Sequence, residues 1–495
     1  MSSSKFLCAT ILAISIGGAP SLFAQTDDRL PPDFHQARRE ALRAKLPPNS
    51  VAVFFASPVR NRANDVDYLY HPDPNFYYLT GHQEPHALLL IFKQPQRIRG
   101  KKTDELLFTH PPAAPLARIY EGDWLGRSRA AQQLQLDMVA ETPAFAQMGI
   151  DFDAFDKVLF YELAEDVRNT EDSSDLYDII ATFKQQIHYP SGNNLSLAVE
   201  PQQNNLDMLT LDSLMTELRG IKTAEEVDLL RKAIKISALG QREVMKALEP
   251  GMSEREVQGM HEFIYKKYRA EYEGYPSIVG AGHNGCVLHY IDNDKLSVED
   301  GELILMDLGA EYHGYTADVT RTLPVSGKFS PEQNQIYDLV YQPHEAGIAV
   351  CKPGNTFADV YAATAQVINQ GLVDLGIYKS TEAKDVIDPA TGRNRYYPHG
   401  CCHHLGLDVH DKGIYDTLRA GMVLTIEPGI YISEDSPCDP KWWGIPVRIE
   451  DDFVVTADGC ENLSALAPRR SEEIEAIMAE SSFFNDTDLP PLEGE

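Results

Sequence analysis

Beyond one short apolar run near its start, the 495-residue chain has no stretch able to cross a bilayer, which takes about 20 apolar residues. Positive charge is scarce: 44 Lys and Arg stand against 74 Asp and Glu, a formal net charge of -30 at pH 7. That balance excludes a nucleic-acid partner, because phosphate recognition needs clustered Lys and Arg. Cysteine is sparse too. After Cys8 come Cys286, Cys351, Cys401, Cys402, Cys438 and Cys460, all in the second half. Six are too few for a disulfide framework, and one bridge, two or none are all compatible with the spacing. Cys401-Cys402-His403-His404 has no CxxC or HxxxH partner nearby, and adjacent residues do not readily converge on one tetrahedral zinc ion. No repeat of short fixed period is present. What remains is a globular chain, 43% hydrophobic and 24% charged, long enough for two domains with sizeable cores.

Lys5 precedes the apolar run at 6–16, and small or turn-forming residues follow to Ala24. This n-region, h-region and cleavage-site layout predicts a signal peptide over 1–24 and an exported protein, periplasmic or secreted, with no stable membrane insertion. From 25 to 215 the pattern alternates. Buried strands are expected at 50–55, 87–92 and 105–109, and helices at 33–45 and after Trp124. This reads as a smaller α/β domain, its histidines (His35, His71, His82, His86, His110) scattered and without a catalytic cluster. A second, α+β domain is predicted over 220–480. Thr223 and Glu226 make a capping box, Ser253 opens a second helix, and Ser330-Pro331 opens a third that Pro343 should kink or split. A fourth helix is expected over 355–375, and an acidic tail over 481–495.

Chemistry concentrates in the second domain. Met306 to Arg321 reads as two strands folding back on each other. A turn centred between Tyr312 and His313 would set Asp307 directly opposite Asp318. Opposed like charges destabilise a strand pair, so either a cation lies between them or one aspartate points to solvent or ends a strand. Three further segments bear on the choice. The stretch 398–411 is dense in histidine, 423–429 is an apolar strand ending in Glu427, and 446–455 alternates so that Arg448 and Glu450 share a face. A Glu in an apolar strand is costly unless paired or metal-bound. Four carboxylates with one imidazole balance two divalent cations, an oxygen-rich set that suits Mn²⁺ and also accommodates Zn²⁺, Co²⁺ or Fe²⁺.

The order Asp, Asp, His, Glu, Glu resembles that of the pita-bread metallopeptidases. The match is to the aminopeptidase P family, the bacterial Xaa-Pro aminopeptidases. It is carried by 285–290, 307–312, 316–322, 399–411, 425–431 and 447–452, and in the first half by Arg60-Asn61-Arg62 and 75–81. The resemblance implies a pita-bread catalytic domain behind an N-terminal aminopeptidase P domain. It implies metal ligands at Asp307, Asp318, His403, Glu427 and Glu450, with Asp318 and Glu450 spanning both ions. It also implies catalytic roles for His289, His410 and Glu427, and substrate binding by His289, His399, His410 and Arg448. His404 stands where the family pattern has a bulky residue, so local reshaping is expected there.

The activity implied is release of the N-terminal residue from peptides with proline in second position, by a metal-bridged hydroxide. Oligomers, dimers or tetramers, follow from the resemblance alone. Prolidase, cutting X-Pro dipeptides, is the alternative; the short spacer from Lys412 to Ala420 favours aminopeptidase P. Methionine aminopeptidases usually lack the large first domain. Metal-free binding modules and creatinase-like hydrolases of this fold lack ligands that this chain keeps.

Overall fold

The computed structural model describes residues 28–190, 205–379, 388 and 392–485. The signal peptide expected over 1–24 and most of the acidic tail lie outside the described residues. The first domain is built on one six-stranded mixed sheet. Its strand order is Val139–Glu141, Lys101–Thr109, Leu88–Ile98, Ser50–Phe55, Lys157–Phe160 and Leu206–Asp207. The apolar runs form its centre, and Val51, Ala52, Leu89 and Leu90 are buried because layers cover both faces of the sheet. Helix Pro32–Lys45 packs on the sheet, with Pro at its start and Arg43 and Lys45 in its last turn.

In the second domain, Ala224–Ala247 begins at the expected capping box: Thr223 Oγ1 accepts from the Glu226 N–H, and the Glu226 carboxylate accepts from the Thr223 N–H. Glu254–Lys267, Pro331–Val350 and Phe357–Asp374 complete the four long helices around small antiparallel sheets. Pro343 does not split Pro331–Val350. Packing of that buried helix against Phe357–Asp374 overrides the local break.

The central hairpin differs in register from the sequence expectation. Tyr312 pairs with Tyr315, Glu311 with Thr316 and Asp307 with Thr320. The turn residues are His313 (φ 52°) and Gly314 (φ 85°), both left-handed, as the favoured two-residue hairpin turn requires. The slip is two residues, so Asp318 keeps its face and lies diagonal to Asp307 rather than opposite it. Gly309 is obligatory here, since a Cβ at that position would lie 1.7 Å from the Ala317 carbonyl oxygen.

The two domains meet through buried polar pairs. Arg219 donates to Asn75 (2.8 Å), Asp408 (2.6 Å) and Asp411, and Lys222 donates to Asp411 (2.6 Å). His71 of the first domain bonds Glu311 of the hairpin at 2.9 Å. The first domain therefore braces the segment that carries His410.

Candidate metal centre

Each predicted carboxylate ligand comes from in or beside the end of a strand. Asp307 lies in Leu303–Leu308, and Asp318 directly precedes Val319–Pro324. Glu427 sits between Val423–Ile426 and Gly429–Ile432, and Glu450 between Ile445–Arg448 and Asp451–Val455. The histidine-rich stretch lies alongside Val423–Ile426 through backbone bonds: Leu405 N–H to Val423 O, Thr425 N–H to His403 O, and Glu427 N–H to Cys401 O (2.8 Å). That pairing sets His403 beside Glu427. All five residues line one cavity of about 320 Å³, together with His289, His399, His410 and Arg448. The structure thus gathers every candidate site residue.

His403 Nδ1 donates to the His404 carbonyl at 3.0 Å, which turns Nε2 toward the carboxylates as the nitrogen a metal ion would take in place of a proton. Nε2 faces Asp318 at 3.3 Å, Glu427 at 3.7 Å and Glu450 at 4.0 Å. Ligand atoms around one ion with bonds of about 2.1 Å stand roughly 3–4 Å apart. Asp318, His403 and Glu450 offer atoms that all lie within 4.8 Å of one another. Asp307 is held to one side by Arg448 Nη2 at 2.5 Å and by the Tyr275 hydroxyl at 2.5 Å.

The electrostatics point the same way. Burial pushes Glu427 up to about 7 and, with the nearby Asp318 charge, drives Glu450 well above the carboxylate range. Burial and the Asp307 charge raise Asp318 as well. Burial alone would lower His403, but the hydrogen bond to Asp318 and the Glu427 charge carry it to about 9. Burial would raise Asp307, yet the Arg448 guanidinium holds it below its usual value. Four buried carboxylates facing one guanidinium and one imidazole keep an excess of negative charge that bound cations relieve. The donor set, four carboxylates and one imidazole nitrogen, fits two divalent ions.

Three site residues carried no assignment from the sequence. The Tyr275 hydroxyl lies 2.5 Å from Asp307 and 2.6 Å from Asp318, arriving from a loop with no recognisable pattern. Tyr431 accepts from Arg448 Nη1 at 2.8 Å and faces His399 Nε2 at 2.9 Å, while His399 Nδ1 donates to Gly400 O. Thr320 donates to Glu450 at 2.6 Å and accepts from Arg448 Nε at 3.2 Å. Only Thr320 had a usable signal, its place opposite Asp307 once the turn is set at His313-Gly314.

His404 fills its position as an aromatic would, packed on Phe357 and Tyr415 with Nε2 toward Ile414 O (3.2 Å). All six cysteines of the second half are free thiols. In the first domain the histidines are less scattered than expected: His110 gathers with Asp172 and Asp175, and His71 reaches the hairpin.

The model of Metallopeptidase family M24 matches residues 228–457, and that of the Aminopeptidase P N-terminal domain matches 35–151. The chain is 34% identical to the Xaa-Pro aminopeptidase of Escherichia coli over 451 residues, covering 90% of this chain and 97% of that protein. It is 35% identical to the Xaa-Pro aminopeptidase of Haemophilus influenzae, covering 91% and 98%. The crystal structure of E. coli aminopeptidase P with the inhibitor Pro-Leu superposes with a TM-score of 0.79 at 33% identity, over 91% of this chain and 98% of that one. The shared α+β architecture, with an aminopeptidase P N-terminal domain ahead of the peptidase domain, and the identity along nearly the whole length place this chain in the aminopeptidase P group of the M24 metallopeptidases.

Proposed function

We propose that the protein is a metal-dependent aminopeptidase that releases the N-terminal residue from peptides with proline in second position, with two Mn²⁺ as its working ions. The observation that carries this reading is the convergence of Asp307, Asp318, His403, Glu427 and Glu450 on one open cavity, in a chain 34% identical to an Xaa-Pro aminopeptidase. Zn²⁺ and Co²⁺ suit the same ligands, and one solved relative is a Zn-substituted E. coli aminopeptidase P in complex with product. Bound there, two divalent ions supply Lewis acidity, lowering the pKa of water and polarising the scissile carbonyl.

The chain's own groups do the rest. Arg448 and Tyr275 fix the Asp307 carboxylate, and Thr320 fixes Glu450, so the ligand oxygens are oriented in advance. Glu427 lies between His399 Nδ1 (3.6 Å) and His403 Nε2 (3.7 Å), where it takes the proton of the attacking water and delivers it to the proline nitrogen as that leaves. His289 and His410 line the cavity wall and hydrogen-bond the developing oxyanion. An X–Pro bond has no N–H and a φ fixed near −65°, so a site that needs neither is suited to it. The free α-amine of the substrate binds among the carboxylates, which makes the enzyme read a peptide's N-terminus.

Export to the periplasm or beyond, from the 1–24 segment, and assembly into dimers or tetramers belong to the same proposal. The test compares an X-Pro-Y tripeptide, an X-Pro dipeptide and an X-Ala-Y control, before and after chelation and Mn²⁺ return. Tripeptide cleavage that disappears on chelation is expected. Hydrolysis of the dipeptide alone would make the protein a prolidase.

A further inference from the structure

We propose that Cys401 and Cys402 form a vicinal dithiol site in the wall of the catalytic cavity, taking a soft, thiophilic Lewis acid of the trivalent arsenical type and silencing the peptidase when it is filled. The two Sγ atoms are 3.8 Å apart, joined by a weak hydrogen bond from Cys401 to Cys402 and not by a disulfide. Thiols this close need only a small side-chain adjustment to close together on one pyramidal As(III) centre, whereas a tetrahedral zinc site would need two further ligands. Cys402 lines the cavity beside His403 and Glu427, and Cys401 lies directly behind it, 1% exposed. Neither sulfur belongs to the oxygen-and-imidazole set that fits the hard divalent ions, so the cavity offers two chemically distinct sites side by side.

The pair is also wired to the metal ligands through the backbone. The Cys401 carbonyl accepts from the Glu427 N–H at 2.8 Å, and Cys402 is the residue before His403. The Cys402 thiol accepts from Cys401 and donates to the Phe357 carbonyl at 3.9 Å, weak bonds that a stronger ligand displaces. A group clamped on both sulfurs therefore occupies cavity space needed by the peptide and disturbs the two hydrogen-bonded segments that hold His403 and Glu427. The reaction is an exchange without redox: arsenous acid and two thiols give a cyclic dithioarsenite bearing one hydroxyl and two waters. Two As–O bonds break, two As–S bonds form, and the thiol protons leave in the water.

The experiment uses the full chain loaded with Mn²⁺ and arsenous acid as the probe, because As(III) does not compete for carboxylate or imidazole ligands. Bound arsenic is counted by mass spectrometry of the intact protein, independently of the activity that rests on the proposed function. One arsenic per chain is expected, with at least a tenfold loss of peptidase activity that 2,3-dimercaptopropanol reverses and an equal concentration of monothiol does not. Cys402→Ser and Cys401→Ser should stay active and lose arsenic binding at least a hundredfold. If Cys401→Ser does not fold, Cys402→Ser, at the cavity surface, carries the test alone. Cys351 and Cys460, which hydrogen-bond each other behind the site, are the rival pair. Binding that survives Cys402→Ser and disappears in Cys351→Ser would overturn the assignment, as would stoichiometric binding that leaves activity untouched.

Discussion

Tyr275→Phe isolates one hydroxyl at the centre of the site. The ring is half-buried and Phe keeps its shape, so packing is conserved while the bonds to Asp307 (2.5 Å) and Asp318 (2.6 Å) are lost. A hydroxyl has a single proton, so one strong donation to a carboxylate is removed, worth about 1.5–3 kcal/mol. At about 1.4 kcal/mol per decade this bounds the effect at roughly ten- to a hundredfold in metal affinity, the range typical when a group orienting a metal ligand is lost. The assay titrates free Mn²⁺ in a chelator buffer and follows tripeptide hydrolysis. The half-activating concentration should rise at least tenfold, with turnover at saturating Mn²⁺ within a few fold of the wild type. An unchanged half-activating concentration would refute the orienting role of Tyr275.

Tyr431→Phe leaves Arg448 Nη1 and His399 Nε2 without their shared partner. A loss in kcat/KM of about ten- to a hundredfold is expected from one charge-assisted bond, and a change under twofold would contradict it. Arg321→Met strands Asp451, since Arg321 donates to it at 2.6 Å and both side chains are 0% exposed. Urea unfolding should show a loss near 3 kcal/mol, the low end for a broken buried pair, because Ser464 still donates to Asp451 and Arg469 lies at 3.4 Å; a loss below 1 kcal/mol would not fit. His313 is raised above 6.5: burial lowers it, but its bonds to Glu271 and Asp28 outweigh that. Its contribution is therefore full below about 6.5 and lost as pH rises through the raised value. His313→Asn, which keeps a left-handed turn residue, should flatten this alkaline decline in the unfolding midpoint. An identical decline in the variant would place its origin elsewhere.

The strands and helices were legible wherever periodicity or capping chemistry was strong. Ser50–Phe55 matches its expected bounds, and the Thr223 and Ser330 caps start their helices as read. The split that Pro343 could have made is absent because helix packing overrides the local rule. The hairpin register was missed by two residues because His313 was not recognised as a left-handed turn residue, although Gly314 beside it was the cue. Parity saved the site, since an even slip leaves Asp307 and Asp318 on one face. Glu427 and Glu450 were readable because a charged residue in an apolar strand is conspicuous, whereas the full ligand set, and His403 within its histidine-rich stretch, came from the family resemblance. Tyr431 was not readable, because a tyrosine among apolar neighbours looks like core, and Tyr275 was not, because it lies in a polar loop without a pattern. Their hydroxyls acquire a role only when loops distant in sequence are brought together.

The most direct test of the account is metal stoichiometry against activity. Chelated protein is reconstituted with Mn²⁺ while bound metal and hydrolysis of an X-Pro-Y tripeptide are measured on the same samples. Activity should be absent in the metal-free protein and reach its plateau at two ions per chain, and Asp318→Asn should hold at most one ion and remain inactive. Full hydrolysis by the metal-free protein, or by Asp318→Asn, would contradict the dinuclear centre.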